Sequence, residues 1–311
     1  MSMKKTFLNL SKIGAIAFIL ILACIFIKIE IVFGDELVDD KMAEEMFDQD
    51  FDPQTLESGE QSLSSSQVIL RRERLTQEIS DQHKQLLGQL AVYQQDERKY
   101  RITLDQYQRL QTLKSIEDII EVSRKLILSR NTALNSYLNL LRLQVIESEG
   151  IEQTHKNRVI EQIEMLQDQL AQHSNLAQEI TDRERVNELA VDFQSVADSI
   201  NTTSYYALSV LAIGRLQSVY DQALVINQRI REKDEQTQTT NPARNRSLAE
   251  VEKLINELPP LNHQAWMQVD KAESAYQSYE KVYRNLSQDL NSIYSKLSRL
   301  VSYYEELENI R

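Results

Sequence analysis

The chain has 311 residues, among them only 6 Gly, 4 Pro and 1 Cys, and its formal net charge is -12. So few helix breakers favour long uninterrupted helices, and a single cysteine excludes a disulfide framework within the chain. The acidic balance and the lack of a basic stripe argue against nucleic acid as a partner, because phosphate binding depends on clustered Lys and Arg.

Residues 1–34 predict a signal peptide or an N-terminal membrane anchor. A basic leader precedes the apolar run 13–27, and the residues before Asp35 fit a cleavage site. Counted through Phe33, the run reaches about twenty residues, which is enough for a tilted membrane span. The sequence leaves the cleaved and the retained forms open.

A third N-terminal alternative is lipidation. The letters ILAC, ending at Cys24, resemble a bacterial lipobox, although Leu22 is bulky for that motif and the apolar run continues past the cysteine. Basic residues before the apolar run and acidic residues behind it orient the chain with 35–311 outside the cytoplasm. All three alternatives therefore predict export across the cytoplasmic membrane, with the body anchored outside, secreted or periplasmic.

Residues 35–66 predict an acidic disordered linker. Between 35 and 60, eleven acidic side chains stand against Lys41 alone, so the segment repels itself and stays extended. The spaced carboxylates of DQDFD raise the question of calcium. An EF-hand loop needs Gly where Pro53 stands and Glu where Gly59 stands, so no calcium site is predicted.

Residues 67–114 predict a first long helix, stalk helix 1. Its apolar positions follow a near-heptad spacing with a polar interruption at Glu97. The seam residues are Leu86, Leu90, Tyr93, Tyr100, Leu104 and Tyr107.

Residues 115–258 predict a helical bundle head. Helix starts are predicted where a hydroxyl and a carboxylate stand three apart, and breaks where turn-forming residues cluster. The predicted starts are Ser115 with Asp118, Thr181 with Glu184, and Ser247 with Glu250, and the predicted breaks are Gly150, 201–204, 236–246 and Pro259-Pro260. The most apolar stretch of the body, YYALSVLAIG at 205–214, predicts a buried central helix.

Residues 259–311 predict stalk helix 2. Its seam comprises Tyr276, Tyr279, Tyr283, Leu286, Leu290, Ile293, Leu297, Leu300, Tyr304 and Leu307. The two stalk helices match in length and in tyrosine content, which predicts that they pack on each other. The predicted fold class is therefore all-α: a long antiparallel coiled-coil hairpin of the terminal helices with an inserted helical bundle head.

No arrangement in the sequence predicts catalysis, a cofactor or a metal. The four histidines are scattered, and we interpret each as part of a polar surface pattern. There is no Gly-rich phosphate loop, no G-x-S-x-G and no cysteine outside the apolar leader. We expect a protein that is not an enzyme.

The tyrosines of the two seams are the predicted interaction residues. Each phenol hydroxyl needs water or a polar partner, so a seam rich in tyrosine is not dry throughout. One interpretation is a partly solvated helix pair, and the other is a stacking surface for glycan, cell-wall polymer or a partner helix. The seven residues are Tyr93, Tyr100, Tyr107, Tyr276, Tyr279, Tyr283 and Tyr304.

The leading functional hypothesis is an exported, non-enzymatic cell-envelope protein that acts as a structural or adaptor component. The second is an extracytoplasmic ligand-binding or adhesion module that uses the head or the tyrosines, and the third is a helical pore-forming protein that inserts 205–214. The expected partners are proteins, a further copy of the chain, and the membrane where the N-terminal segment is retained. No motif is specific enough to assign a family.

Overall fold

A computed structural model of the chain describes residues 65–237, 241–274 and 279–309. These residues form six α-helices and no strand, which confirms the all-α class. The helices are α1 (Ser65–Leu110), α2 (Leu113–Glu147), α3 (Gln153–Gln178), α4 (Arg183–Thr237), α5 (Pro242–Ser274) and α6 (Tyr279–Asn309). The predictions for residues 1–64 lie outside the described residues.

Helices α1 to α3 and the first half of α4 form an N-terminal bundle. Each helix runs antiparallel to the one before it, as the cross-helix contacts show. Thr76 bonds Glu147 while Gln82 bonds the Ser136 carbonyl, so positions on α2 fall as those on α1 rise. Connections of only a few residues force this up-and-down order.

The second half of α4 forms a C-terminal bundle with α5 and α6. Helix α5 is antiparallel to α4, as the Tyr220–Ile255 and Arg231–Glu252 contacts show. Helix α6 runs back along α5 and parallel to α4, since the Tyr304 hydroxyl donates to the Ala223 carbonyl. The apolar face predicted for α6 is buried here, with Leu286, Ile293, Leu297, Leu300 and Leu307 almost fully enclosed.

Helix α4 has 55 residues and belongs to both bundles. The two bundles overlap along its middle, at 205–214, where His155 of α3 contacts Tyr206 and α6 contacts Tyr205. A helix that is apolar all round is one that is covered on all sides. The predicted burial of YYALSVLAIG is confirmed, because Tyr206, Val210 and Ile213 are at most 1 % exposed.

The predicted pairing of the two terminal helices is wrong. Helix α1 packs along α2, and α6 packs along α5 and α4. Of the six predicted seam positions of α1, Leu86, Leu90 and Tyr93 are buried, and the other three are half-buried. The predicted partner of α1 is wrong because matched length and tyrosine content constrain packing less than a short connection does. Residues 111–112 alone join α1 to α2, so these two helices pack on each other.

The predicted helix starts are displaced by a few residues from the observed caps. Thr112 caps α2 by accepting a hydrogen bond from the Ser115 amide, and Asp182 accepts from the Arg185 amide at the start of α4. Asn241 accepts from the Ala243 amide, with Pro242 as the first residue of α5. Asn or Asp before the helix and Pro at its first position are common start signals.

Two predicted breaks are absent, and the first is at 201–204. Hydroxyl groups in and next to this segment donate hydrogen bonds to backbone carbonyls one turn earlier in the helix. Ser199 donates to Ser195 O, and Thr202 donates to Asp198 O. Ser and Thr side chains can compete with the backbone hydrogen bonds of a helix, but here they bond to carbonyls that keep their helical positions. Helix α4 therefore passes through a stretch that predicts a turn.

The second absent break is at Pro259-Pro260, inside α5. Pro259 has no amide hydrogen, so the Ile255 carbonyl four residues earlier lacks its helical donor. The Tyr220 hydroxyl of α4 donates to that carbonyl at 3.3 Å and replaces the missing hydrogen bond. The predicted boundary between head and stalk at 258/259 thus falls within a continuous helix.

We expect Tyr220→Phe to destabilise the protein by about 1–2 kcal/mol, because it leaves the Ile255 carbonyl without a donor in a partly buried position. Urea unfolding followed by circular dichroism measures the loss. Tyr294→Phe is the control, since Tyr294 is 44 % exposed on α6 and its removal should change the unfolding free energy by less than about 0.5 kcal/mol. Equal effects of the two substitutions would contradict the role of the Tyr220 hydroxyl as the donor to the Ile255 carbonyl.

None of the helices in the described part of the chain combines the length and the apolar character that crossing a bilayer requires. The predicted anchor at 13–33 lies outside that part.

Candidate functional site

The candidate site is the aromatic junction, the layer where the two bundles overlap. It comprises Tyr137, His155, Tyr205, Tyr206, Trp266 and Tyr283. The side chains come from five helices, so the layer joins every described helix except α1. Any change in the relative position of the two bundles acts on these contacts.

His155 occupies one side of the junction. Its imidazole stacks on the Trp266 indole, with ring centroids 4.4 Å apart and planes 18° apart. The Nδ1 atom lies 3.2 Å from the Tyr206 hydroxyl and the Nε2 atom lies 3.9 Å from an Asp270 carboxylate oxygen. In the tautomer that places Nε2–H toward Asp270, the Tyr206 hydroxyl donates to Nδ1. These contacts connect α3, α4 and α5.

Three phenols occupy the other side of the junction. The Tyr205 and Tyr283 rings lie 5.8 Å apart at 47°, an inclined arrangement favourable for aromatic pairs. Burial raises the pKa of the Tyr137 phenol to about 12, and the phenols of Tyr205 and Tyr283 add to that increase. Burial also raises the pKa of Tyr283. The phenols of Tyr137 and Tyr283 are therefore uncharged at neutral pH.

A close backbone approach fixes the position of α4 beside the junction. A Cβ atom on Gly150, in the α2–α3 connection, would lie 1.9 Å from the Gly214 carbonyl oxygen and 2.6 Å from the Ser218 amide nitrogen. A Cβ atom on Gly214 would lie 2.3 Å from the Ile151 side chain. Only glycine allows this separation at position 150, because both obstructing atoms belong to a helix backbone.

The structure divides the predicted tyrosine set between the two bundles. On α1, Tyr93 is buried toward α2, Tyr100 is half-buried, and Tyr107 accepts a hydrogen bond from Arg183 at 2.6 Å. On α6, Tyr283 joins the aromatic junction, and the Tyr304 hydroxyl is satisfied by the Ala223 carbonyl.

The remaining two predicted tyrosines are Tyr276 and Tyr279. Tyr276 is outside the described residues, and only the backbone of Tyr279 is described. Among the tyrosines whose side chains are described, those of α1 are not brought together with those of α6, and Tyr283 is the predicted residue that lies in the aromatic junction.

The interpretation of all four histidines as surface residues is wrong for two of them. His155 is 7 % exposed and His173 is 5 % exposed. The imidazole of each bonds to a buried group of another helix, so their polar sequence neighbours face solvent while the rings face inward. Across residues 65–237, 241–274 and 279–309, no group of three or more His, Cys, Asp or Glu side chains is placed to hold a metal ion.

His173 belongs to a second buried polar layer, within the N-terminal bundle. Its Nε2–H donates to the Leu189 carbonyl at 3.0 Å, so its Nδ1 accepts from the Asn131 amide at 3.0 Å. The same Asn131 amide group also donates to the Ser174 hydroxyl. Burial lowers the pKa of His173 below its usual 6.5, and the neighbouring Arg130 cation lowers it further. The fold therefore holds this ring neutral.

We expect His173 to make the protein less stable in acid. Below about pH 6.5 the unfolded chain binds a proton that the folded chain does not, so the free energy of unfolding falls as the pH decreases through that value. His173→Gln keeps an acceptor and a donor but does not titrate, and it should flatten this part of the stability profile. Urea unfolding at successive pH values measures the slope.

The control for that experiment is His83→Gln, because His83 is exposed on α1 and makes no described contact with the buried layer. This variant should keep the slope of the unmodified protein. A His173→Gln profile that overlays the unmodified one would show that the buried imidazole does not control the acid response.

Sequence reasoning missed five of the six junction residues. Tyr205 and Tyr206 stand within the apolar stretch 205–214, which predicts a buried helix. The useful signal was the length of the apolar stretch: ten residues apolar on all faces indicate a segment covered from both sides.

No family model, curated protein or solved structure matches this chain.

Proposed function

We propose that this protein is an exported, non-enzymatic component of the cell envelope whose helical body acts as a structural or adaptor element in protein–protein assembly. The observation that carries the proposal is α4, which runs unbroken through both bundles for 55 residues. At 1.5 Å per residue such a helix is about 80 Å long. A shared helix packed on both halves holds two bundle surfaces at a fixed spacing, which suits a spacer or adaptor.

The aromatic junction supports the same proposal. A single exposed helix between two bundles bends, whereas this one is braced at its middle by the His155–Trp266 stack and the Tyr205–Tyr283 pair. Bracing at the overlap converts two bundles into one stiff body. Stiffness is the physical property that an assembly component needs and that a flexible tether lacks.

The compartment rests on the sequence. The basic leader and the apolar run 13–27 are typical of an exported chain, and the acidic residues from 35 to 60 follow them as a linker. The proposed arrangement places the helical body outside the cytoplasm, either attached through the N-terminal segment or released by its cleavage.

A single introduced cysteine tests the compartment sharply, because Cys24 is the only native cysteine. Gln95→Cys places a thiol on the exposed side of α1. A maleimide that cannot cross the cytoplasmic membrane should label this variant in intact cells and leave the unmodified chain unlabelled. Labelling of Gln95→Cys only after lysis would overturn the proposed export.

Crosslinking and mass spectrometry on native envelopes test the adaptor role. The expected result is a reproducible set of crosslinks from lysines of both bundles, such as Lys125 of α2 and Lys271 of α5, to other envelope proteins. The same data report the mature N-terminus. Crosslinks confined to the chain itself, at full labelling of its lysines, would contradict an assembly function.

An extracytoplasmic ligand-binding module is the second candidate function. The unpaired guanidinium of Arg130, described below, is the observation that favours it. The pore-forming alternative receives less support, since 205–214 lies in the core where the two bundles overlap.

A further inference from the structure

Arg130 lies in the middle of α2 and faces the N-terminal bundle. Its Cζ atom is 3.2 Å from the centroid of the Phe193 ring on α4, a cation–π contact. The Nε and Nη2 atoms are buried and have no hydrogen-bond acceptor within the described residues. Buried guanidinium nitrogens almost always have acceptors, so these two atoms of the half-buried Arg130 are an exception that needs an explanation.

No carboxylate compensates the charge of Arg130 in the described part of the chain. Arg142, farther along the same helix, lies 3.4 Å from Glu164, whereas Arg130 has no such partner. Its neighbours are uncharged: the Phe193 ring, the neutral His173 and the Tyr93 phenol. Burial lowers the pKa of Arg130 to about 9, and only Tyr93 opposes that effect. The group is still a cation at neutral pH.

The two unsatisfied nitrogens are a matched pair. Nε–H and the Nη2 amino group lie on the same edge of the planar guanidinium and point their hydrogens in parallel. This edge binds two oxygens of one carboxylate or phosphate group side by side. A lone buried donor would be an irregularity of packing, but a complete two-donor edge is the arrangement by which arginine binds oxyanions.

Helix α1 covers this part of α2. Tyr93 lies beside the Arg130 guanidinium, and Leu86, Leu90 and Tyr93 are the buried residues among the side chains of α1 that the structure describes. Polar contacts supplement this small apolar area, since Gln89 and Gln82 both bond to Ser136. Helix α1 packs extensively on α2 alone, whereas each of the other described helices packs on at least two neighbours, so α1 is the helix that separates at least cost.

We propose that Arg130 anchors an oxyanion-binding site under α1, in which the Nε and Nη2 edge binds a carboxylate or phosphate group and α1 is the movable cover. The proposal does not depend on the compartment or on the adaptor role. It explains why the bundle contains a half-buried cation that has two buried donors and no carboxylate partner.

The test is a titration of the full chain with sodium acetate and, separately, with inorganic phosphate, each against sodium chloride at equal ionic strength. The Nε–H resonance of Arg130, assigned by its loss in Arg130→Lys, should shift saturably in the acetate or phosphate titration. A saturable shift in one titration alone identifies that oxyanion as the ligand class. No saturable shift in either would overturn the proposal and leave Arg130 as a packing residue.

Thermal unfolding gives a second readout. The preferred anion should raise the unfolding temperature of the unmodified protein and of Arg124→Met, a half-buried arginine on the same helix, and should not raise that of Arg130→Met. If Arg130→Met does not fold, the resonance titration of the unmodified protein still decides. An equal rise for Arg130→Met would show that the anion acts elsewhere and would overturn the site.

A crosslink tests the cover. Gln89→Cys with Ser136→Cys places thiols at facing positions of α1 and α2, and a short bis-maleimide reagent joins them. The crosslinked form should lose the Arg130 response to the anion, and the same double variant without the reagent should keep it. A response that persists in the crosslinked form would exclude α1 as the cover.

Discussion

Gly150→Ala should destabilise the protein by about 3–5 kcal/mol, which is at the upper end for a single substitution. The added Cβ atom would lie 1.9 Å from the Gly214 carbonyl oxygen and 2.6 Å from the Ser218 nitrogen. Both atoms belong to the backbone of α4, at the segment enclosed by the two bundles. The clash cannot be relieved by a side-chain rotation, so α4 or the α2–α3 connection must shift and open the aromatic junction.

The control is Gly88→Ala, because a Cβ atom there meets nothing within 4 Å. This substitution should stabilise the protein by about 0.5–1 kcal/mol through the higher helix propensity of alanine. Gly214→Ala should fall between the two, since its closest obstruction is the movable side chain of Ile151. Urea unfolding of the three variants measures the order, and a Gly150→Ala variant as stable as Gly88→Ala would contradict the close approach.

The apolar periodicity in the sequence was sufficient to predict the helical class and the buried faces. Leu134, Leu138, Leu141 and Val145, which are spaced at helical intervals, are buried in α2, and the predicted seam residues Leu286, Ile293 and Leu300 are buried in α6. Periodicity depends only on the chain's own helix geometry, which is fixed at 3.6 residues per turn. It says which side of a helix is covered.

Periodicity does not say what covers that side. Helices α1 and α6 have similar seams, but their partners follow from the connections, and the short link at 111–112 makes α2 the neighbour of α1. Breaks at 201–204 and at Pro259 were predicted from local residue preferences. They are overridden by contacts distant in sequence, such as the Tyr220 hydroxyl on the Ile255 carbonyl. The candidate site is assembled by the same distant contacts, so its residues could not be grouped from the sequence.

Thr202→Pro should cost about 3 kcal/mol or more, and it tests the continuity of α4 on which the proposed function rests. Thr202 is exposed, so the substitution leaves the core contacts in place and acts through the backbone. Proline removes the amide hydrogen at this position, and its ring collides with the carbonyl of residue 198. If α4 ended near 199 and restarted near 204, as the sequence predicts, proline would be accommodated with little loss of stability.

Thr202→Ala is the matched control, because it removes the hydroxyl that donates to Asp198 O and keeps the amide. Alanine favours the helix, so this variant should unfold within about 0.5 kcal/mol of the unmodified protein or slightly above it. Both variants lack the Thr202 hydroxyl, so the difference between them reports the loss of the backbone hydrogen bond at residue 202. The Thr202→Pro variant also tests the proposed function. If the protein stays folded but α4 bends at residue 202, crosslinks that join both bundles to one partner protein should be lost. A fully stable Thr202→Pro variant would instead mean that α4 is two helices and that the fixed spacing between the bundles has another origin.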